Sequence, residues 1–454
     1  MSKTALRVRA SEAIADAKLH DALDAATGRF GFGRLAGPAT IANHAELRDA
    51  ARAIKADVMA RLPDVLGQLA DGVEARGGHV CWASTAEEAN DYVVRLARRH
   101  GARLAVKSKS MASEEIHLNA ALEHEGVEVV ETDLGEWICQ LAGEPPAHIV
   151  GPAIHKTKAD VAELFSAVAG RPLSDVPEEL CAFARETLRQ KFLDAEIGIS
   201  GVNFGVADTG SIVIVTNEGN GRMVTSLPKV HVAIMGMERV VSSWDQLDVL
   251  LALLTRSAAA QEITTYVNCI SGPRRTGEDD GPDEFHLVIL DNGRSDVLGT
   301  EFQEILHCIR CGACLNACPV YRQIGGHAYG WVYSGPIGAV LTPLLNHDEA
   351  VADLPYASSL CGACWEACPV KIPLHDLLLA HRRRKASDAS PVERAAWRAW
   401  AQAWSRPRVY RATTRAGAAG LKRLPDVFAK RWTDGRSLPE AHGGFRRRFE
   451  RGEL

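Results

Sequence analysis

The chain has 454 residues, 46% of them hydrophobic and 24% charged, with a formal net charge of −5. That is ordinary globular composition, long enough for roughly two to four domains. The charge offers no electrostatic case for nucleic acid, and no run of about 18 apolar residues exists to form a membrane-spanning helix.

The opening residues, Met1-Ser2-Lys3-Thr4-Ala5-Leu6-Arg7, lack the apolar core of a signal peptide. A cytoplasmic protein is expected, with attachment to a membrane's inner face through a partner left open. Residues 1–75 read as a helical region, with apolar positions at helical spacing in segments such as 45–55. From 76 to 297 strand and helix signals alternate. Strands are expected at 79–84, 103–107, 127–132 and 148–151, with helices at 86–99 and 113–125. Further apolar runs at 197–204, 211–216, 230–235, 265–270 and 285–290 complete an α/β domain with a mostly parallel sheet. The breaker-rich, charged stretch 272–283 should be an exposed loop.

Eleven cysteines occur, and their placement matters more than their number. Cys81, Cys139, Cys181 and Cys269 are scattered and read as small buried hydrophobes. The other seven fall in a 298–385 domain. The first group is Cys308-x2-Cys311-x2-Cys314-x3-Cys318-Pro319, and the second is Cys361-x2-Cys364-x3-Cys368-Pro369. This is the run of two-cluster bacterial ferredoxins. Thiolates two residues apart can wrap a cubane from a tight loop, and small residues at Gly312, Ala313, Gly362 and Ala363 let the backbone approach. The last cysteine of each run points away and ligates the other cluster. Cys308, Cys311, Cys314 and Cys368 should therefore hold cluster one, and Cys318, Cys361 and Cys364 cluster two. Ser358 stands three residues before Cys361, where the full pattern has a fourth cysteine. Cluster two is thus either [4Fe–4S] with Ser358, water or a partner's group on its last iron, or a [3Fe–4S] cluster. Zinc could occupy two Cys-x2-Cys pairs, but it does not explain seven cysteines, the triple step or two Cys-Pro endings. Segments 325–330 and 333–338 would cover the clusters, with His327 either tuning one by a hydrogen bond or simply packed.

Residues 386–454 form a basic extension. Trp397, Trp400 and Trp404 are spaced as one helix face, expected to pack on the cluster domain. The closing run 446–451 reads as a solvated terminus.

Four segments carry a family resemblance: Lys107-Ser108-Lys109-Ser110-Met111, Glu131-Thr132-Asp133-Leu134-Gly135-Glu136, Gly205-Val206-Ala207-Asp208-Thr209-Gly210-Ser211 and Thr216-Asn217-Glu218-Gly219-Asn220-Gly221-Arg222. They resemble the lactate-utilisation (LUD) domain. Joined to the cysteine groups and basic tail, they make the chain similar to the lactate utilisation protein B family. The resemblance implies a sugar-isomerase/CoA-transferase-like α/β fold, then an α-helical two-cluster ferredoxin-like domain and a helical tail. It also implies two [4Fe–4S] clusters and an electron-transfer role in a bacterial system that oxidises L-lactate to pyruvate. The implied partners are that system's other two components, one cysteine-rich and one carrying a LUD domain. Asp208, Glu218, Lys107 and Lys109 are candidate polar residues of the LUD domain. The glycines near them either cradle an anion or only make turns. No catalytic triad, P-loop or dinucleotide fingerprint is visible, so no catalytic residue is expected and hydride chemistry should lie elsewhere. Two other classes stay open: an enzyme acting on an acyl or sugar acid, and a redox-sensing scaffold.

Overall fold

The structure, a computed structural model, describes residues 5–421 and 445–452. It divides into two compact units, Met1–Arg382 and Arg383–Leu454. The first unit opens with four helices, α1 (Ala5–Ala15), α2 (Ala17–Ala36), α3 (His44–Ala60) and α4 (Leu62–Glu74), within the region read as helical. In α4 the residues Leu62, Val65, Leu66, Leu69 and Val73 fall at i, i+3, i+4, i+7 and i+11, and all are buried. That spacing makes one apolar stripe, and the proline in the first turn removes no helical hydrogen bond.

Ten strands follow: β1 (His79–Ala83), β2 (Leu104–Lys107), β3 (Glu128–Glu131), β4 (Ile197–Gly201), β5 (Phe204–Val206), β6 (Ser211–Thr216), β7 (Val230–Gly236), β8 (Val240–Val241), β9 (Tyr266–Ile270) and β10 (Glu284–Leu290). Six form a parallel sheet in the order β1-β10-β7-β4-β2-β3, and the rest a smaller sheet, β8-β5-β6-β9. The helices between them are α5 (Ala86–Arg99), α6 (Met111–Glu115), α7 (Leu118–His124), α8 (Leu134–Ala142), α9 (Lys158–Ala169), α10 (Pro177–Asp194), α11 (Asn220–Ser226) and α12 (Trp244–Ala259). All seven residues of β7 are buried, as a central parallel strand covered on both faces requires. Val230, Val232 and Ile234 pack under α5 and α7. Ala233 and Met235 face the other way, into a core shared with α4 and α12.

That second core does not end with the sheet. It runs on through Phe302, Ile305 and Leu315 to five of the cysteines and to Leu377. The α/β half and the cysteine loops are therefore packed as one body. A chain of buried charges joins them as well. Arg294 spans Glu115 (2.7 Å) and Glu238 (2.7 Å), and Arg310 of the first cysteine loop reaches Glu238 at 3.1 Å. The Tyr333 hydroxyl donates to Glu115 at 2.6 Å.

Three expectations need correction. Residues 148–151 form a bend, not a strand, because the Val150 and Gly151 N–H groups donate to the His148 ring (3.0 and 3.1 Å) instead of to a neighbouring strand. The helix expected at 113–125 is broken at His117, which takes a left-handed φ of 54°. α6 begins early because Ser110 caps it. Of the scattered cysteines only Cys139 is buried; Cys81 is half-buried, and Cys181 and Cys269 are exposed.

The rest of the first unit carries α13 (Ala313–Ala317), α14 (Tyr321–Ile324), α15 (Gly335–Leu345), α16 (Ala363–Ala367) and most of α17 (Leu374–Ser387). The second unit holds α18 (Pro391–Trp404), α19 (Pro407–Leu421) and a short helix Phe445–Glu450. Trp397, Trp400 and Trp404 do share a face of α18, ring against ring. The Arg446 and Arg447 side chains of the closing run lie outside the described residues. Among the described residues no helix is long and apolar enough to cross a membrane.

Buried histidines set an acid limit on this fold. Burial lowers the pKa of His231, inside the parallel sheet, to about 3, and of His148 to about 3. An unfolded histidine titrates near 6.5, so below that pH the unfolded chain binds protons that the fold refuses. Stability is then lost as pH falls from about 6.5 towards 3, by up to ~1.4 kcal/mol per pH unit for each residue. Denaturant unfolding at pH 7.5 and 5.0 should show this drop, and His231→Gln should flatten it. An equal drop in the variant would remove His231 as a cause.

Candidate metal centre

The two cysteine loops repeat one local structure. α13 and α16 are five residues each, entered through a left-handed glycine, Gly312 (φ 74°) or Gly362 (φ 82°), and followed by an extended cysteine, Cys318 or Cys368. Just before each loop's Cys-Gly step a bulky residue also turns left-handed: Arg310 at φ 58° and Leu360 at φ 56°. Such a backbone costs a non-glycine residue roughly 1–2 kcal/mol and persists where its surroundings over-determine it.

The effect of those turns is to aim N–H groups at sulfur. Arg310 N–H donates to the Cys308 sulfur at 3.4 Å, Tyr321 N–H to Cys318 at 3.5 Å and Ile372 N–H to Cys368 at 3.4 Å. Ala313, Val320 and Val370 likewise lower the pKa of Cys311, Cys318 and Cys368 through backbone hydrogen bonds. Each of these three N–H groups belongs to the residue two positions after its cysteine.

Folding brings Cys308, Cys311, Cys314 and Cys368 together. They line one small cavity, beside Ile149 and Ile337. Burial raises Cys311, with Cys368 next among the causes. Burial raises Cys314 too, with Cys308, Cys311, Cys364 and Cys368 adding to it. Cys368 is pushed up to about 11 by burial, with Cys308 contributing. The remaining three form a neighbouring set. Cys364 is pushed up to about 12 by burial, with Cys318 and Cys361 contributing, and Cys318 is raised by burial and by Cys361. Thiols crowded this way repel one another as thiolates. A bound cation reverses that preference, since sulfur ligates metal only once deprotonated. The donor set, the N–H groups already turned on sulfur and the cavity all fit an iron–sulfur cluster.

Other parts of the chain hold the loops in place, and the sequence pattern does not mark them. Arg48 of α3 donates to the carbonyl of Cys368 at 2.8 Å and to that of Glu366 at 3.0 Å. Arg239, after β7, donates to the carbonyl of Cys308 at 2.9 Å. Asn316, between Cys314 and Cys318, meets the His148 ring at 3.1 Å. These residues carry no local signal, because each acts across a long separation in the chain. His327 hydrogen-bonds the carbonyl of Pro145 at 2.7 Å rather than a cysteine.

The LUD-type candidates separate. Lys107 is wholly buried in ion pairs with Glu114 and Glu131; burial alone would lower its pKa, but the two carboxylates raise it. Asp208 is exposed in a short 3-10 helix, Ala207–Thr209, held through its N–H on the Ser242 carbonyl. Gly210, just after it, packs against Gly72, where a side chain would collide. Lys109, Glu218 and Gly221 do line a common cavity, of about 310 Å³.

An α/β domain packed onto paired cysteine loops of this form defines a two-cluster iron–sulfur protein. Comparison with known families agrees. Residues 66–290 match the LUD domain, 304–372 the 4Fe-4S dicluster domain, and 380–450 the lactate utilisation protein B C-terminal domain. "Lactate utilization protein B" of Oceanobacillus iheyensis is 50% identical over 432 residues, which is 93% of this chain and 90% of its own length. The protein of the same name from Bacillus subtilis strain 168 is 48% identical over 450 residues, 96% of this chain and 94% of its own. The chain belongs to the lactate utilization protein B family. A solved structure of a DUF162 family protein from Deinococcus radiodurans also aligns, at 13% identity and a TM-score of 0.29, over 50% of this chain and 98% of its own.

Proposed function

We propose that the chain is the iron–sulfur electron-transfer component of a multi-protein assembly that oxidises L-lactate to pyruvate. One observation carries this reading: two cysteine sets lie side by side, the first buried against the α/β half and the second reaching the surface at Cys361. Bound clusters supply one-electron steps, so a two-electron oxidation can be relayed singly. The names of the relatives supply the substrate.

Cys308, Cys311, Cys314 and Cys368 hold the first [4Fe–4S] cluster in this reading, and Cys318, Cys361 and Cys364 the second. Ser358 takes the fourth place. Leu360 N–H donates to the Ser358 hydroxyl at 3.1 Å, as Arg310 N–H donates to the Cys308 sulfur at 3.4 Å. The serine therefore stands in the second loop where a cysteine stands in the first. The exposed side near Cys361 and Trp365, which is 42% exposed, suits docking of the other two components. A cytoplasmic location, a sugar-isomerase/CoA-transferase type of α/β half and domain limits at 76–297 and 298–385 belong to the same proposal.

The test is anaerobic purification with iron and sulfide analysis and a redox titration, alongside growth of a Cys311→Ser strain on lactate. About eight irons per chain are expected, or about seven if the second cluster has three. The centres should cycle reversibly, and the Cys311→Ser strain should lose growth on lactate. Normal growth of that strain, or colourless protein holding zinc, would end this reading.

A further inference from the structure

The 310 Å³ cavity sits where an open parallel sheet offers a binding crevice. The chain leaves β2 towards β3 on one side, then returns to β4 and on to β7 on the other. Ligands favour such a switch point, at the carboxyl ends of the strands. The segments that follow β2, β4 and β7 supply Ser108, Asn203 and Arg239 to the cavity wall. Its volume is that of a small-molecule site.

The far wall belongs to the cysteine region. Arg310 and Ile149 line both this cavity and the one formed by Cys308, Cys311, Cys314 and Cys368. Whatever occupies the crevice lies one side chain away from the first cysteine set.

The polar groups facing the cavity are short of acceptors. The Ser108 side chain is 4% exposed, and its hydroxyl has no hydrogen-bond partner. One terminal nitrogen of Arg310 is buried without a partner, the other being held by Glu238. Arg239 is 7% exposed and donates to the Cys308 carbonyl at 2.9 Å, but among the described residues no carboxylate lies within ion-pair distance of it. Among the described residues Lys109 reaches only a carbonyl, that of Val150, at 2.8 Å. Buried donors without acceptors are costly, and guanidinium groups bind carboxylates in a fixed fork. On the opposite side Glu218 has its pKa raised by burial and by Asp133, which favours a proton there and hence a hydrogen bond to a hydroxyl or carbonyl oxygen.

We propose that this cavity binds a small 2-hydroxy or 2-oxo monocarboxylate, its carboxylate against Arg239, Arg310 and Ser108, beside the first cysteine set. The ligand's identity rests on the lactate reading above. The site itself rests on the unpartnered Ser108 hydroxyl and Arg310 nitrogen and on the shared wall.

The test is isothermal titration of the anaerobic full-length holoprotein with L-lactate, pyruvate, acetate and inorganic phosphate. Paramagnetic resonance spectra of the reduced protein are taken with and without each. One saturable site is expected for L-lactate or pyruvate, with acetate and phosphate at least about tenfold weaker and a ligand-induced change in the spectrum of one centre. Arg239→Gln should weaken binding by about tenfold or more, the range of a hydrogen bond to a charged group. Ser108→Ala, away from the cysteine loops, should weaken it about fivefold with iron and sulfide content intact. No saturable binding of either acid by protein whose centres still cycle would overturn the inference and leave the electron-transfer reading standing. Phosphate binding more tightly than both acids, or both variants binding as well as the parent, would also overturn it. Binding of an acid by protein whose centres do not cycle would sustain the site and defeat the electron-transfer reading.

Discussion

Cys368→Ala is expected to empty the first cluster site and spare the second, although Cys368 belongs to the second cysteine run. Its thiol sits with those of Cys308, Cys311 and Cys314 around one cavity. Iron should fall from about eight to about four per chain, with a matching loss of labile sulfide and visible absorbance. Cys318→Ala is the reciprocal case. Cys318 follows Cys314 by four positions but neighbours Cys361 and Cys364 in the fold, so its loss should remove the second cluster and keep the first. Resonance spectra of the two variants should be complementary, each retaining what the other lacks. The crossed arrangement would be refuted if each substitution removed the cluster of its own run.

The spacing of the cysteines alone makes this centre legible, because a cluster ligated from tight loops needs thiols at fixed short intervals. The regular elements are legible for a similar reason. β1, β2, β7 and β10 are short apolar runs between breakers, and α5 spans 86–99 as its pattern indicates. What the sequence does not disclose depends on contacts between distant segments. The bend at 148–151 looks like a strand until the His148 ring takes the N–H groups that a strand would offer its neighbour. Lys109 and Lys107 are two residues apart with similar claims to an anion, yet one lines a cavity and the other is sealed between carboxylates. Strand alternation would put residues two apart on one face, but β2 ends at Lys107, so the chain beyond it aims Lys109 elsewhere, and only the packed helices decide which is the open one. Ser358 is the intermediate case. Its offset from Cys361 raises the question of a fourth ligand, and the Leu360 N–H placed on its hydroxyl gives that question a geometric basis.

Arg294→Met should destabilise the first unit by about 3–5 kcal/mol, the usual result of removing one partner from a buried ion pair. Arg294 is 1% exposed, between side chains of Glu115 and Glu238 that are 0% and 2% exposed. Both arms of its guanidinium bond Glu115, at 2.8 and 2.7 Å, while its Nε holds Glu238 at 2.7 Å. Burial works to raise both carboxylates, but Arg294 outweighs it, holding Glu115 below its ordinary range and Glu238 down to about 2. The loss should fall unevenly. Glu238 keeps Arg310 as a partner, whereas among the described residues Glu115 keeps only the Tyr333 hydroxyl and the Asn292 amide. Glu115 is therefore the group left charged and buried, and adding Glu115→Leu to Arg294→Met should recover more than half of the lost stability. Urea unfolding followed by circular dichroism, on anaerobic protein of matched iron content, reads both numbers. A loss below about 1 kcal/mol in the single variant, or no recovery in the double, would show that the network contributes little to holding the sheet against the cysteine loops. The predicted recovery follows from asymmetry: an uncompensated charge costs more than a well-packed apolar replacement for the whole pair.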